Sequence, residues 1–178
     1  MNWLSFENLQ QVKDIGTFLG YIMLVGVLSG GCYSFKGISI PPEANTFYIS
    51  ELRSRVPGAP ADLGQQFSEN LKQKFLNQSR LNFVEIDPDI EFSGEITRFA
   101  VTSVAPQPGE TTAFNRLEIA VRMNYIYHLD EEENWESTFS FFQDFSRDEN
   151  LLDVQDGLIT VIFRQLAEDI FNKAFTNW

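Results

Sequence analysis

Residues 116–127 constrain the fold of this chain more tightly than any other stretch. Leu117, Ile119, Val121, Met123, Tyr125 and Tyr127 alternate there with Arg116, Glu118, Arg122 and Asn124. Successive side chains of a β-strand point to opposite faces, so the pattern specifies one dry face and one wet face. Such a half-buried strand belongs to an antiparallel sheet that is covered on one side.

Its neighbours in sequence extend that sheet. After Asp87-Pro88, Ile90, Phe92, Gly94 and Ile96 share one parity, whereas Phe99, Val101 and Val104 break it. The switch implies either a bulge near Thr97-Arg98 or a strand buried on both faces. Pro106-Gln107-Pro108-Gly109-Glu110 reads as the connecting loop and Asp130-Glu131-Glu132-Glu133-Asn134 as a solvated hairpin loop. Trp135 to Phe145 is the return strand, with Phe139, Phe141 and Phe145 on one face and Phe142 on the other. Nearer the amino terminus, Thr46 to Ser50 is a β-branched and aromatic run that predicts a first strand. Val56-Pro57-Gly58-Ala59-Pro60 is a turn-rich loop.

Two segments carry helical periodicity instead. Leu63, Phe67, Leu71 and Phe75 recur every four residues and share one face. Asp62 is placed to cap the free amides of this helix, with Gln65 as the other half of a capping box. The helix is expected to end near Ser79-Arg80. Asn150 opens a longer helix in which Leu151, Val154, Leu158, Ile162 and Leu166 form one row, widened by Ile159, Phe163, Ile170 and Phe171. The order β-α-β-β-β-α predicts an α+β fold, a two-layer sandwich with both helices on one face of the sheet. Most of the 17 phenylalanines belong to that core, and any excess beyond what a small core holds favours a partner surface.

The amino-terminal segment carries a different signal. Ile15 to Leu28 is apolar and almost uncharged, short for a membrane span of about 20 residues but suited to the apolar region of an export signal. Ser29-Gly30-Gly31 then leads to Cys32, the only cysteine, as in bacterial lipoprotein signals cut immediately before a cysteine that becomes lipidated. The alternative for Cys32 is a buried or incidental free thiol. One cysteine excludes an internal disulfide and a multi-cysteine metal site. The chain divides accordingly into a lipoprotein signal peptide (1–31), a lipidated tether bearing Pro41-Pro42 (32–44) and a folded domain (45–178).

Little in the sequence resembles catalytic or cofactor chemistry. The net charge of −12 carries no basic stripe of the kind that binds nucleic acid. His128, the only histidine, ends the middle strand beside an acidic loop without partners for a metal site, and Glu131-Glu132-Glu133 reads as a solvated turn. Gly94, Gly109 and Gly157 form no phosphate-binding pattern. No nucleophile and base stand at readable spacing, so no enzyme, no cofactor and no metal are expected. What remains is the wet face of the sheet, with Arg98, Arg116, Glu118, Arg122, Asn124 and Phe142. Its arginines serve either cross-strand ion pairs with Glu95 and Glu118 or contacts to an anionic head group or partner, with Arg116 and Arg122 as the candidate ligand-binding residues.

Cys32-Tyr33-Ser34-Phe35-Lys36-Gly37, Phe67-Ser68-Glu69-Asn70-Leu71-Lys72, Phe92-Ser93-Gly94-Glu95-Ile96-Thr97 and Asn115-Arg116-Leu117 resemble the LptE family, the lipopolysaccharide-assembly lipoproteins, in a divergent short branch. The resemblance spans essentially residues 32–178. It implies two helices on a mixed four-stranded sheet, anchored by a lipid on the periplasmic face of the outer membrane. It further implies residence inside a large outer-membrane β-barrel, an LptD-like translocon, whose assembly it assists and which it plugs, and it implies that the protein receives lipopolysaccharide. The family's lipid-contacting residues find no local motif here, so Arg116 and Arg122 rest on facing and charge alone. Other functions compatible with such a chain are a periplasmic lipid-binding carrier lipoprotein, or a scaffold or regulator of a cell-envelope enzyme. The carrier requires an enclosed apolar pocket of roughly 300–1,000 Å³.

Overall fold

The alternating stretch is the central strand of a six-stranded mixed sheet in the computed structural model, which describes residues 39–105 and 113–176. Cys32, the expected signal segment 1–31, the first part of the tether and the Pro106–Glu110 loop lie outside the described residues. In chain order the elements are β1 (Thr46–Ile49), β2 (Arg53–Ser54), α1 (Leu63–Gln78), β3 (Asn82–Phe83), β4 (Ile90–Val104), β5 (Phe114–Tyr127), a 3₁₀ turn (Glu131–Glu133), β6 (Trp135–Ser146) and α2 (Leu151–Phe175). The strands lie in the order β3-β1-β4-β5-β6, and β2 pairs separately with β4. β4, β5 and β6 form an antiparallel meander, whereas β1 runs parallel to both β3 and β4.

The α+β sandwich is therefore present, with six strands where the resemblance implied four. The two additional strands, β2 and β3, are two residues each. β2 resumes the edge that β1 leaves. Ile49 pairs with Phe92 and Arg53 with Glu95, so β1 and β2 spend one more residue than β4 over the same interval. That excess loops out at Ser50–Leu52, where the Leu52 amide donates to Ser68 Oγ of α1 at 2.8 Å.

The parity break in β4 is a bulge. Ile96 pairs with Val121 and Arg98 with Ala120, leaving Thr97 without a partner in the register. The Thr97 hydroxyl donates to the Ala120 carbonyl at 3.3 Å. Past the bulge, odd-numbered residues take the dry face, which is why Phe99 is buried while Arg98 is exposed. Burial on both faces is excluded by the exposure of Thr97, Arg98 and Thr102.

Both helices cover the same face. Phe75 of α1 stands at the centre, its ring 4.8 Å from Phe92 of β4, 5.3 Å from Phe171 and 5.4 Å from Phe175 of α2, and 5.5 Å from Phe47 of β1. Phe67 meets Phe163 at 4.8 Å further along the helix pair. Close backbone approach fixes Gly64, whose absent Cβ would lie 2.0 Å from the Leu52 carbonyl oxygen.

The two predicted caps differ in outcome. Asn150 has an extended backbone (φ −79°, ψ 131°) and its side chain accepts from the Leu152 amide at 3.2 Å. Asp62 has φ −97° and ψ 7°, away from the extended conformation that aims a cap at the free amides. Its carboxylate accepts instead from Gln66 Nε2 at 2.8 Å, and no capping box with Gln65 forms.

Candidate functional site

The wet face of the sheet opposes the helices, and its polar side chains form an ordered ladder. Arg98 Nε donates to Glu118 at 2.8 Å. Arg116 grips Asp144 with two hydrogen bonds, from Nε at 2.7 Å and from Nη2 at 2.9 Å. The Arg116 guanidinium also lies 3.6 Å over the ring of Phe142. Arg122 sits between Glu95 at 3.2 Å and Glu136 at 3.8 Å. The antiparallel registers produce two of these pairs directly, since Arg122 stands opposite Glu95 and Arg116 opposite Asp144, whereas Arg98 reaches Glu118 and Arg122 reaches Glu136 on the diagonal.

The pairing with Glu95 and Glu118 that the sequence suggested is thus formed by Arg122 and Arg98. The partner of Arg116 is a different residue, Asp144. Its signal was available, because Asp144 shares the parity of the outward-facing Phe142 on the same strand. Paired hydrogen bonds from Arg116 hold the Asp144 carboxyl below its ordinary range, with burial opposing, and Asp144 in turn raises Arg116. Arg116 and Arg122 are six residues apart along β5, about 20 Å, so one small ligand does not bridge them.

One surface groove opens on this face, and a second lies past the carboxyl end of β5, beside α2. One, of about 430 Å³, is lined by Arg53, Ser93, Glu95, Arg122, Asn124 and Glu136. The other, of about 450 Å³, lies among Pro41, Glu43, Tyr127, Leu129 and Glu133. Both are predominantly polar, unlike the enclosed apolar cavity that a lipid carrier requires.

Near the second groove the residues that lead into β1 are tied to the domain. The Ser39 amide donates to the Phe175 carbonyl at 2.7 Å, and Arg80 Nη2 donates to the Pro41 carbonyl at 2.7 Å. The Asp89 carboxylate accepts from the Asn45 amide, the Thr46 amide and the Thr46 hydroxyl at 2.8, 2.9 and 2.9 Å. These hydrogen bonds, the one from the Asn45 amide first, lower the Asp89 pKa against an opposing contribution from burial. Sequence patterning missed this clasp, because its partners are about forty residues apart and share no periodicity.

The remaining candidates do not assemble into a reaction site. His128 Nε2 lies 3.7 Å from Glu91, on a half-exposed side chain. Glu131, Glu132 and Glu133 are exposed, and among the described residues no three His, Cys, Asp or Glu side chains gather as metal ligands. Tyr125 is the one buried side-chain polar group among the described residues that lacks a hydrogen-bond partner. Its ring stacks on Trp135 at 5.3 Å, and burial, then Glu133, pushes its phenol well above the usual tyrosine range. Among the described residues no helix is long and apolar enough to cross a membrane.

Comparison with solved structures places this architecture beside the hypothetical protein CT253 from Chlamydia trachomatis, at a TM-score of 0.53 and 10% identity, covering 75% of this chain and 99% of that one. A putative neuraminyllactose-binding hemagglutinin homolog from Helicobacter pylori is similar at a TM-score of 0.50 and 10% identity, with 79% and 88% covered. At such identities the likeness concerns the fold alone. No curated protein matches the sequence. A family model described as LptE, lipopolysaccharide-assembly, matches residues 44–174, which takes in every helix and strand but the final residue of α2. The chain belongs to the LptE family of lipopolysaccharide-assembly proteins.

Proposed function

We propose that this protein is an outer-membrane lipoprotein subunit of the lipopolysaccharide translocon. In this reading it is anchored through Cys32 on the periplasmic face and both assists assembly of and plugs a large LptD-like β-barrel. The observation that carries the reading is the family match over residues 44–174, preceded by a lone cysteine behind an apolar segment. A lipidated residue 32 would stand only seven positions before Ser39, whose amide is tied to the carboxyl end of α2. That short span would hold the β1 end of the domain towards the membrane.

The ion-pair ladder supports a plug. A surface whose Arg98, Arg116 and Arg122 are already hydrogen-bonded to carboxylates can lie against a barrel wall without leaving those cations unpaired. It also ranks the two arginines as contacts for lipopolysaccharide. Arg122, held by longer contacts, exchanges a carboxylate for a phosphate more readily than Arg116, which is held by two short ones and by Phe142.

The test is affinity purification of the full-length protein from detergent-solubilised outer membranes, with its bound proteins identified by mass spectrometry. A one-to-one complex with a large β-barrel is expected, and depletion is expected to impair surface display of lipopolysaccharide. Recovery without any barrel protein would overturn the assignment. Cys32→Ser is expected to release the protein from the membrane with its domain still folded.

A further inference from the structure

The two edges of the sheet are built differently. On one side, β3 and β1 are two and four residues long, and the ring of Phe83 at that edge is covered by the Lys72 ammonium at 3.9 Å. On the other side, β6 is a 12-residue strand that pairs with β5 without a single register shift from Phe114↔Ser146 to Tyr125↔Trp135. Among the described residues nothing pairs with its outer side.

In an antiparallel pair, alternate residues direct their N–H and C=O groups away from the neighbouring strand. β6 therefore offers a straight row of donors and acceptors along its free edge. Edge strands that avoid pairing carry proline, lysine, a bulge or very short length. Residues 135–146 contain none of these: no proline, no lysine, no arginine and no bulge. The aromatic side chains on the helix side, Trp135, Phe139 and Phe141, are only partly buried, so their outer rims flank the same edge. On the wet side the charges of β6 are Glu136 and Asp144, and Glu136 is largely exposed with only a distant partner in Arg122 at 3.8 Å.

Charge decides what can add. A second copy would set two β6 strands side by side, each with acidic residues and no cation, on chains of net charge −12. A strand with apolar residues on the helix side and cations on the wet side would cover the aromatic rims and complement Glu136. We propose that β6 is a strand-addition edge whose occupant is an extended segment of a partner protein in which apolar residues alternate with lysine or arginine. Main-chain hydrogen bonds supply the affinity and the two faces supply the register.

The test uses the full protein in detergent and a synthetic twelve-residue peptide of alternating valine and lysine, read by residue-resolved amide hydrogen exchange. Alternate amides of β6, which exchange freely in the protein alone, are expected to slow by about tenfold or more at saturating peptide, with β1 and β3 unchanged. The same peptide N-methylated at alternate residues, and its valine–glutamate counterpart, are expected to give no protection. Ser140→Lys, on an exposed wet-face position, is expected to weaken the valine–lysine peptide several-fold while leaving the circular dichroism spectrum unchanged. Absence of β6 protection, equal protection by the glutamate peptide, or protection that grows with protein concentration alone would each overturn the proposal. The last outcome would identify a second copy as the occupant. Because the peptide contains no barrel, this result is independent of whether the protein purifies with one.

Discussion

The two faces of β5 are made from alternate residues of one stretch, yet they are held by different physics. On the helix side, Leu117, Ile119, Val121 and Met123 are fully buried, and β4 adds Phe92 to the aromatic cluster around Phe75. On the wet side, Arg116, Glu118 and Arg122 pair with residues on the flanking strands while staying partly in water. Burial removes apolar area at about 25 cal/mol per Å², whereas an exposed ion pair is worth about 0–1 kcal/mol. The dry face therefore supplies the stability, and the wet face is free to be shaped by what the protein touches.

The largest test of that division is a pair of truncations. Phe75→Ala empties the centre of the core and is expected to cost about 3–5 kcal/mol in urea unfolding. Phe142→Ala removes a ring that is 44% exposed and is expected to cost about 1 kcal/mol or less. Similar losses at the two sites would end the comparison. Gly64→Ala comes next, at about 1–3 kcal/mol, because the new methyl collides with the Leu52 backbone and not with a movable side chain.

Much of this division is legible in the sequence. The alternation in β5, the parity switch at Thr97 and the single outward phenylalanine of β6 all follow from a period of two, and each is observed. The helices follow from their own period. β2 and β3 escape, since two residues carry no period, and β1 reaches its place between β3 and β4 only through partners distant in sequence. The wet-face site was half legible. Glu95 and Glu118 could be assigned as partners, but choosing Asp144 over them for Arg116 required the β5–β6 register, which parity alone leaves free by steps of two residues.

Smaller effects sharpen the contrast through pH. Asp89 and Asp144 both titrate below the ordinary value of 3.8 in the folded protein. Each contributes stability that is present above about pH 4 and is lost as pH falls through the lowered folded value. Asp89→Asn is therefore expected to be less stable than the parent at pH 7, by about 1 kcal/mol or less, and to converge with it in acid. A difference that persists unchanged to pH 2 would show that the clasp does not depend on the charge. Arg122→Gln is the smallest change, expected within about 0.5 kcal/mol and vanishing at 1 M salt, measured by thermal unfolding.

The clasp at Asp89 also sets an order of events. The meander β4-β5-β6 pairs neighbours in sequence, but β1 has to wait for Ile90 and Asp89, 43 residues downstream of Phe47 and Thr46. Closing that loop gains little until the meander exists, so the strand made first is the last to dock. Thr46→Ala is then expected to speed unfolding and leave the refolding rate unchanged in stopped-flow measurements. Made amino terminus first, the chain thus carries its first strand unpaired until the meander that ends at Ser146, more than half of the protein, has followed it, a window in which a chaperone meets that end before the sheet does.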